Sequence, residues 1–563
     1  MDLDLKNMDY ANIKTLKDVI TFAAENYGGK PAVKWQNGRT IEERSYFQLR
    51  SDVCKMATYL KELDLNKGHI AMIGDISYEW LVSFYGISCS NAIVIPIDKQ
   101  LPNEDITNLL RKTDADCLIY DTLPKSGLME YLQKNIESLK LISLRESNEL
   151  PNVPDVILKG SKNAAAHLPE LEQDSLAAIV FTSGTTGTSK GVMLTHKNMC
   201  SGVIVACHFV GKSDLKTTIP ILPTYHMYEI TTGIQCAIVI GCTICIGRSL
   251  KYITQSMKQY KPTILILVPM IVEMMHKLIW AEAKKAGKDK KLRKLMVIAK
   301  VLNKIGIDVR RNLFKSVLDV FGGEILTIVC GGAPLSADLM EEFQCFGIQV
   351  NYGYGITECS PVVASNMPGH NKPGSAGVIV PFPYGMVKIL NDEILVKGPI
   401  VTSGYYNDQK ATEEAFVDGW YRTGDLGYID KNNYLYITGR IKNLIILDNG
   451  ENVSSEELEA IFGEVPLVKE VVIHALKNKE RLLLTATVFP DELYIKENSI
   501  LDVQGELEKE FFQINSNLPS YKRVQLIRLH NTEFEKTSSG KIKRHLICSG
   551  NWDERSDYIA REN

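Results

Sequence analysis

The segment from Ile179 to Asn198 restricts what this chain can fold into more than any other part of it. An apolar run over residues 177–181 is typical of a buried strand, and it leads into a loop of glycine, serine and threonine from Thr182 to Gly191 that contains Lys190. Glycines allow close backbone approach, so the loop can turn N–H groups and hydroxyls toward a phosphate. The loop therefore predicts a protein that binds a nucleoside triphosphate and uses it in a reaction. It does not match the P-loop NTPases, whose lysine is followed by serine or threonine, because Gly191 follows Lys190.

Composition and charge are those of an ordinary globular enzyme. At 563 residues the chain is long enough for more than one domain, and a net charge of −3 gives no basic excess for nucleic acid. The N-terminus lacks the apolar region of a signal peptide, and the longest apolar stretch, residues 233–247, is too short to span a bilayer. The 12 cysteines follow no framework spacing, which predicts reduced thiols and a cytoplasmic location. Cys242 and Cys245 form a C-x-x-C without a second pair, and we expect them to pack in the core.

Helical and strand patterns alternate in the first half of the chain, which predicts layered α/β structure with largely parallel sheets. Beyond Gly374 short strands separated by glycines predict an antiparallel β subdomain, and the residues after Arg440 predict a small α+β domain. We therefore predict an α/β fold with a large N-terminal domain, residues 1–440, and a small mobile C-terminal domain, residues 441–563. The predicted helices are 46–63, 78–90 and 455–462, and the predicted strands are 69–74, 92–97, 117–120, 263–268, 325–329, 386–389, 393–396, 444–447 and 468–475.

A basic segment between Lys284 and Lys315 interleaves about a dozen Lys and Arg residues with apolar residues at helical spacing. We interpret it as a pair of surface helices with a solvated, charged face. The alternative is transient contact with an anionic membrane, where a lipid-derived substrate would be found.

Six further motifs follow the first loop in chain order. They are Pro223-Thr224-Tyr225-His226-Met227, Cys330-Gly331-Gly332-Ala333-Pro334, NYGYGITE from Asn351 to Glu358, YRTGD from Tyr421 to Asp425, Gly439-Arg440-Ile441-Lys442, and KTSSGKIKR from Lys536 to Arg544. Together these motifs resemble the adenylate-forming superfamily, which includes acyl-CoA synthetases, adenylation domains and firefly luciferase. The resemblance extends from about Leu16 to Ile547. Ser189 and Glu535 each stand where the family commonly has proline, and neither position is assigned to chemistry.

The resemblance implies a set of nucleotide-binding residues. For ATP and AMP these are Thr182, Ser183, Gly184, Thr185, Thr186, Gly187, Lys190, Gly332, Ala333, Pro334, Tyr352, Gly353, Tyr354, Gly355, Thr357, Asp425, Arg440 and Lys541. Tyr354 would stack on adenine, Thr357 would bind the α-phosphate, and Asp425 would accept the ribose hydroxyls. An aromatic face suits a base, and a hydroxyl suits a phosphate oxygen.

The resemblance also implies the catalytic residues. These are Lys541, Thr357, Glu358, His226 and Lys190. Glu358 would ligate Mg²⁺ with Thr182 as a second contact, because hard oxygen ligands suit a hard cation. Lys442 matches the family's hinge, and Gly450 lies in a turn that would line the approach of the thiol.

The implied reaction activates a medium- or long-chain fatty acid with ATP to acyl-AMP and transfers it to coenzyme A. We prefer a medium- or long-chain substrate because residues 74–98 and the insertion between Met270 and Gly322 resemble, in general sequence character, long-chain fatty acyl-CoA synthetases. The first alternative is a ligase that loads the phosphopantetheine of a carrier protein. An amino-acid-adenylating enzyme fits less well, because no aspartate is found to hold a buried ammonium. A non-catalytic nucleotide-binding protein is the remaining alternative. The sequence makes no prediction of oligomeric state.

Overall fold

The structure is a computed structural model of the chain. It describes residues 10, 12–121, 127–160, 168–182, 189–211, 215–447, 451–478, 481–536, 542–548 and 558–559.

The helices begin where the sequence offers a capping side chain. Thr15, Ser45 and Thr195 each accept the backbone N–H of the third residue of the following helix, whose own side chain returns a bond to the cap. In chain order the α-helices are α1 Leu16–Tyr27, α2 Tyr46–Glu62, α3 Tyr78–Cys89, α4 Asn103–Lys112, α5 Leu128–Asn135, α6 Val153–Lys159, α7 His196–Val210, α8 Cys236–Val239, α9 Ile253–Tyr260, α10 Pro269–Lys285, α11 Asp289–Lys304, α12 Arg310–Leu313, α13 Lys315–Leu318, α14 Ala337–Cys345, α15 Gln409–Ala415, α16 Ser455–Phe462, α17 Glu492–Asn498, α18 Val503–Ser516 and α19 Arg544–Cys548. A π-helix covers Tyr228–Gln235.

The strands are short and apolar where they are central in a sheet. In chain order they are β1 Pro31–Asn37, β2 Thr40–Ser45, β3 His69–Ile73, β4 Ile93–Pro96, β5 Cys117–Tyr120, β6 Lys140–Ser143, β7 Leu176–Thr182, β8 Lys190–Thr195, β9 Thr217–Thr218, β10 Thr243–Ile246, β11 Ile264–Leu267, β12 Thr327–Cys330, β13 Gln349–Gly355, β14 Val362–Ser365, β15 Val378–Ile379, β16 Met386–Leu390, β17 Glu393–Lys397, β18 Gly404–Tyr405, β19 Phe416–Val417, β20 Trp420–Ile429, β21 Leu435–Arg440, β22 Leu444–Ile446, β23 Asn452–Ser454, β24 Val468–Asn478, β25 Arg481–Pro490, β26 Leu526–Leu529 and β27 Tyr558–Ile559.

The larger of two compact units holds two twisted sheets. This unit comprises Met1–Lys388, Leu395–Tyr421 and Asp430–Leu435. One sheet has the order β18-β8-β7-β4-β3-β5-β6, and the other has the order β15-β14-β13-β12-β11-β9-β10-β1-β2. Central neighbours such as β3 and β4, or β11 and β12, are parallel, whereas β7 with β8 and β13 with β14 are antiparallel. Parallel pairing needs crossover connections, and the intervening helices cover the sheet faces.

The core of the larger unit lies between its helices and these sheets. Tyr46, Trp80 and Phe84 are among its largest fully buried side chains. Cys242 and Cys245 are also buried in it, as we predicted. Several candidate motifs cover the carboxyl ends of strands that this core fixes, namely β7, β12 and β13. Ligands of α/β proteins bind at such strand ends.

The smaller unit comprises Ile389–Ile394, Arg422–Ile429 and Tyr436–Asn563. Its main sheet has the order β24-β25-β26-β27, with β24 and β25 antiparallel and β25 and β26 parallel. Helices α16 and α18 contribute Phe462 and Phe511, whose ring centroids lie 4.5 Å apart in the core of the unit. The α+β character predicted for the C-terminal region is confirmed. The functional boundary after Arg440 stays a prediction.

The predicted elements agree with the structure to within a few residues at their ends. Helix 455–462 and strand 117–120 have the predicted bounds, while strand 468–475 continues to Asn478. The antiparallel texture after Gly374 is present in the pairing of β19 with β20, where Phe416 lies opposite Tyr421. In the part of the chain that the structure describes, no helix has both the length and the apolar character needed to cross a bilayer.

Candidate active site

The predicted phosphate loop joins two antiparallel strands. Thr182 is the last residue of β7 and Lys190 the first of β8, and the two are Cα partners in the ladder. We expected the loop to reach Gly191, but β8 already begins at Lys190. A Cβ at position 191 would lie 2.9 Å from the Ile179 side chain, so the absence of a side chain allows this close pairing. Ser183, Gly184, Thr185, Thr186 and Gly187 lie outside the described residues.

Tyr405 brings the lysine of this loop and the predicted metal ligand together. Strand β18 pairs with β8, and the Nζ of Lys190 lies 4.7 Å from the ring centroid of Tyr405. The Tyr405 hydroxyl donates to Oε1 of Glu358 at 3.1 Å, and the Tyr421 hydroxyl lies 3.0 Å from that of Tyr405. Burial raises the pKa of both tyrosines well above the ordinary value, and the nearby Glu358 carboxylate raises it further. Both hydroxyls therefore stay protonated and act as donors at neutral pH.

Sequence reasoning missed Tyr405 and gave no role to Tyr421. Tyr405 stands in a short SGYYND segment without a helical or strand period. Its importance depends on the pairing of β18 with β8, which joins residues 404–405 to residues 192–193. A contact so distant in sequence leaves no local signal.

The backbone around Thr357 and Glu358 is fixed on both sides. These residues form a 3₁₀ turn, Thr357–Cys359, directly after β13. A Cβ at Gly355 would lie 2.1 Å from the carbonyl oxygen of Pro361, so this position requires glycine. The carbonyl of Glu358 accepts the N–H of Thr402 at 2.8 Å. The Glu358 side chain therefore projects from a backbone with little freedom to shift.

Beside this turn lies a pocket of about 540 Å³ of empty space, part of which is open solvent. The lining combines glycine-rich turns with apolar side chains, including those of α7. The lining residues are Ala206, Phe209, Val210, Tyr228, Thr232, Val329, Cys330, Gly331, Gly332, Asn351, Gly353, Tyr354, Gly355, Pro361, Val362 and Ser365. Small residues at the turns leave room for a flat ring, while the apolar wall suits a hydrocarbon chain.

The predicted residues of the two glycine motifs divide into those that line the pocket and those that do not. Gly332, Gly353, Tyr354 and Gly355 line it, whereas Tyr352, Ala333 and Pro334 do not. Ala333 and Pro334 are exposed to solvent. Gly332 has φ +89°, in the left-handed region that favours glycine.

A π-helix, which the sequence did not predict, forms another wall of the pocket. Tyr228 and Thr232 of this helix line the pocket, and the Tyr228 hydroxyl donates to the carbonyl of Val329 at 3.1 Å. π-Helical turns are frequent at functional sites. His226 lies in the turn before this helix, where its backbone N–H donates to Pro223 at 3.1 Å and its ring lies 4.4 Å from that of Tyr225. It is not among the pocket-lining residues.

Glu229 is a fully buried carboxyl group in the same π-helix. It has 0% exposed area, and its Oε2 accepts the N–H of Leu222 at 3.3 Å. Burial raises the pKa of Glu229 to about 8. The group is therefore mostly protonated at neutral pH and holds the turn that leads to the PTYHM motif.

The smaller unit holds Asp425, the predicted ribose contact, beside Arg440, a predicted ribose or phosphate contact. The Nε of Arg440 donates to Oδ1 of Asp425 at 2.5 Å, and the backbone N–H of Asp425 donates to the Thr423 hydroxyl at 3.0 Å. The Asp425 side chain is 7% exposed and that of Arg440 is 43% exposed. Lys442 lies in a 3₁₀ turn, Ile441–Asn443. Gly450 and Lys541 lie outside the described residues.

Comparison with known proteins places the chain in a family. The profile of the AMP-binding enzyme family matches residues 20–406, about two thirds of the chain. The chain belongs to the AMP-binding enzymes. It resembles long-chain-fatty-acid–CoA ligase FadD15 of Mycobacterium bovis, with 28% identity over 511 residues that cover 84% of each protein. It is 30% identical to long-chain-fatty-acid–CoA ligase 1 of Homo sapiens over 454 residues, which cover 73% of this chain and 64% of the relative.

Solved structures share the fold of this AMP-binding enzyme. The anthranilate CoA ligase AuaEII in complex with anthranoyl-AMP has a TM-score of 0.75 at 19% identity, covering 95% of this chain and 96% of the other. A fatty acyl CoA synthetase of Mycobacterium tuberculosis has a TM-score of 0.66 at 21% identity, covering 95% and 97%. The predicted resemblance to adenylate-forming enzymes and the predicted fold class are thereby confirmed. The roles of individual site residues stay predictions.

Proposed function

We propose that this AMP-binding enzyme activates a medium- or long-chain fatty acid and transfers it to coenzyme A. The fatty carboxylate attacks the α-phosphorus of ATP, which forms acyl-AMP and releases pyrophosphate. The thiol of coenzyme A then attacks the acyl carbon, which forms acyl-CoA and releases AMP. The curated relatives are named as ligases of this kind.

The pocket beside β13 is the observation that carries this proposal. Its glycine-rich side, with Gly332 and Tyr354, suits the adenine ring, and its apolar side, with Phe209 and Val210, suits an acyl chain. The adenine ring of ATP and the acyl chain of the fatty acid would therefore occupy different parts of a single pocket. An amino acid would need a carboxylate for its ammonium group, and no acidic side chain lines this pocket among the described residues.

The residues around Tyr405 suit the phosphates of ATP. Lys190 would offset their negative charge, and Thr357 would donate its hydroxyl to the α-phosphate. Glu358 and Thr182 provide the hard oxygen atoms that Mg²⁺ prefers. Among the described residues, no three His, Cys, Asp or Glu side chains gather into a cage for a metal. When bound there, Mg²⁺ would neutralise part of the phosphate charge.

By resemblance, residues after Tyr421 have most of the remaining roles. Asp425 would accept the ribose hydroxyls while Arg440 keeps the carboxylate in position. By resemblance, Lys541 serves adenylation, and movement about Lys442 replaces it with the turn at Gly450 for thiol attack. His226 would lie between the nucleotide and the fatty carboxylate.

The proposal is tested by measuring pyrophosphate release from MgATP with a panel of acids. The panel contains short-, medium- and long-chain fatty acids together with amino acids, each with and without coenzyme A. Multiple turnovers with medium- or long-chain acids that require coenzyme A support the proposal. Turnover with amino acids alone would contradict it, and so would the absence of release with every acid.

The same assay distinguishes the acceptor. If release stops near one equivalent even when coenzyme A is present, acyl-AMP is being retained, and a carrier-protein phosphopantetheine becomes the acceptor. Glu358→Gln is the matched control for pyrophosphate release. It keeps the shape of the side chain and removes the charge proposed to bind Mg²⁺.

A further inference from the structure

Helix α11 carries two apolar stripes, of which one faces solvent. Its core-facing stripe contains Leu292 and Ala299, which are buried, together with partly buried Met296. The second stripe consists of Val297, Ile298 and Val301, and Ile305 and Ile307 continue it beyond Lys304, the last residue of the helix. These five side chains are 64%, 48%, 57%, 66% and 49% exposed, in that order. We call them the α11 apolar stripe.

The spacing of the α11 apolar stripe shows that it is one face. Positions 297, 298, 301 and 305 follow the i, i+1, i+4, i+8 pattern of a single side of an α-helix. At 100° per residue this side is nearly opposite Leu292 and Ala299, so the stripe points away from the core. A solvated helix would have polar residues there. Scattered exposed apolar residues need no explanation, but a contiguous group marks an interaction surface.

Basic side chains surround the α11 apolar stripe. Between Lys284 and Lys315 the sequence has 12 Lys and Arg residues and two acidic residues, Asp289 and Asp308. Lys290, Lys294 and Lys304 lie on the same outer half of the helix and are exposed. Their long stems can lie along apolar material while the ammonium groups reach anionic headgroups. This combination is that of a helix that lies in a membrane interface.

The hairpin formed by α10 and α11 starts at the proposed substrate pocket. The hydroxyl of Tyr228, a lining residue, lies 3.4 Å from the carbonyl oxygen of Leu267, two residues before α10. Only three residues connect α10 to α11, and the Arg293 guanidinium lies 4.6 Å from the ring centroid of Trp280. A short connection of this kind produces antiparallel helices. The C-terminal half of α11, where the stripe lies, therefore returns toward the pocket end of α10.

We propose that the α11 apolar stripe docks on an anionic lipid bilayer. The apolar side chains enter the boundary between headgroups and acyl chains, and the surrounding lysines bind the headgroups. The excess of positive charge favours this partner over a second copy of the chain, because two such surfaces would repel each other. Docking brings the pocket end of the hairpin to the layer in which fatty acids dissolve. Our first interpretation of this segment, a solvated charged face, did not account for the exposed apolar side chains.

Sedimentation of the protein with vesicles tests the proposal. The vesicles are phosphatidylcholine alone, or phosphatidylcholine with a minority of phosphatidylglycerol, at low and high salt. We expect binding to the anionic vesicles that weakens with salt. The triple variant Val297→Gln, Ile298→Gln and Val301→Gln should lower the partition coefficient by at least about tenfold. Lys290→Gln with Lys294→Gln should lower it by roughly fivefold per charge.

Matched controls separate the stripe from general surface hydrophobicity. Leu158 and Leu493 are 75% and 73% exposed and lie on other helices, so Leu158→Gln with Leu493→Gln should bind vesicles as the wild type does. Circular dichroism and the thermal midpoint confirm that each variant is folded. The proposal is overturned if the wild type binds neither vesicle type, or if the stripe variants and the control variants bind the anionic vesicles equally. It is also overturned if light scattering shows a dimer that the stripe variants abolish. The assay needs no turnover, so its outcome is independent of the proposed ligase activity.

Discussion

Filling the apolar side of the pocket should shorten the preferred acyl chain. Ala206 lies on α7, lines the pocket and is 1% exposed. Replacing it with leucine adds three carbon atoms at a position where the proposed acyl chain lies. The added side chain would enter the pocket, so the overpacking expected in a filled core should be small.

The magnitude follows from the methylene groups that lose their place. Each buried methylene contributes about 0.8 kcal/mol, so displacing two or three costs about 2 kcal/mol. This corresponds to roughly a 30-fold lower kcat/KM for acids that fill the pocket. Acids too short to reach Ala206 should keep their kcat/KM, because they lose no contact.

The assay is the kcat/KM of pyrophosphate release across the fatty acid series for wild type and Ala206→Leu. Val205→Leu is the control, because Val205 is buried on the same helix but does not line the pocket. A uniform loss for all chain lengths in Ala206→Leu, or an unchanged profile, would refute the assignment of the apolar side to the acyl chain.

Three further predictions concern other groups. Lys541→Ala should abolish adenylation yet retain thioester formation from supplied acyl-AMP. Equal loss of both half-reactions would contradict the assignment of Lys541 to adenylation. Asp425→Ala should raise the KM for ATP by roughly 10- to 30-fold with a smaller effect on kcat, and an unchanged KM would exclude Asp425 as the ribose contact. The ordinary pKa of Glu229 is 4.5 and its pKa in the folded protein is about 8. Between these two pH values the carboxyl group is protonated in the folded protein and ionised in the unfolded chain. Its contribution to stability therefore falls as the pH rises through this window. Glu229→Gln should therefore gain stability relative to wild type by up to about 1.4 kcal/mol per pH unit in that window, measured by urea unfolding, and a constant difference would contradict the buried neutral carboxyl.

Much of the fold was predictable because hydrophobic periodicity is local. Helix 455–462 and strand 117–120 follow directly from that pattern. The π-helix at Tyr228–Gln235 was not predictable, because its residues have no composition that differs from an α-helix. The cytoplasmic location stays a prediction from cysteine usage.

The candidate site was predictable only where motifs mark it. Glycine positions such as 332 and 355 are fixed by backbone geometry that glycine alone satisfies, so they leave a signal in the sequence. The link from Lys190 through Tyr405 to Glu358 depends on strand pairing across more than 200 residues. The solvent-facing side of α11 likewise needed the packing of the helix, because its sequence alone has apolar residues on both sides.

The most direct test of the proposed reaction is mass spectrometry of the products formed from MgATP and the preferred fatty acid, before and after coenzyme A is added. The account predicts acyl-AMP and pyrophosphate before addition, and acyl-CoA with an equal amount of AMP afterwards. Acyl-AMP that persists in the presence of coenzyme A, or the absence of any adenylate, would contradict it.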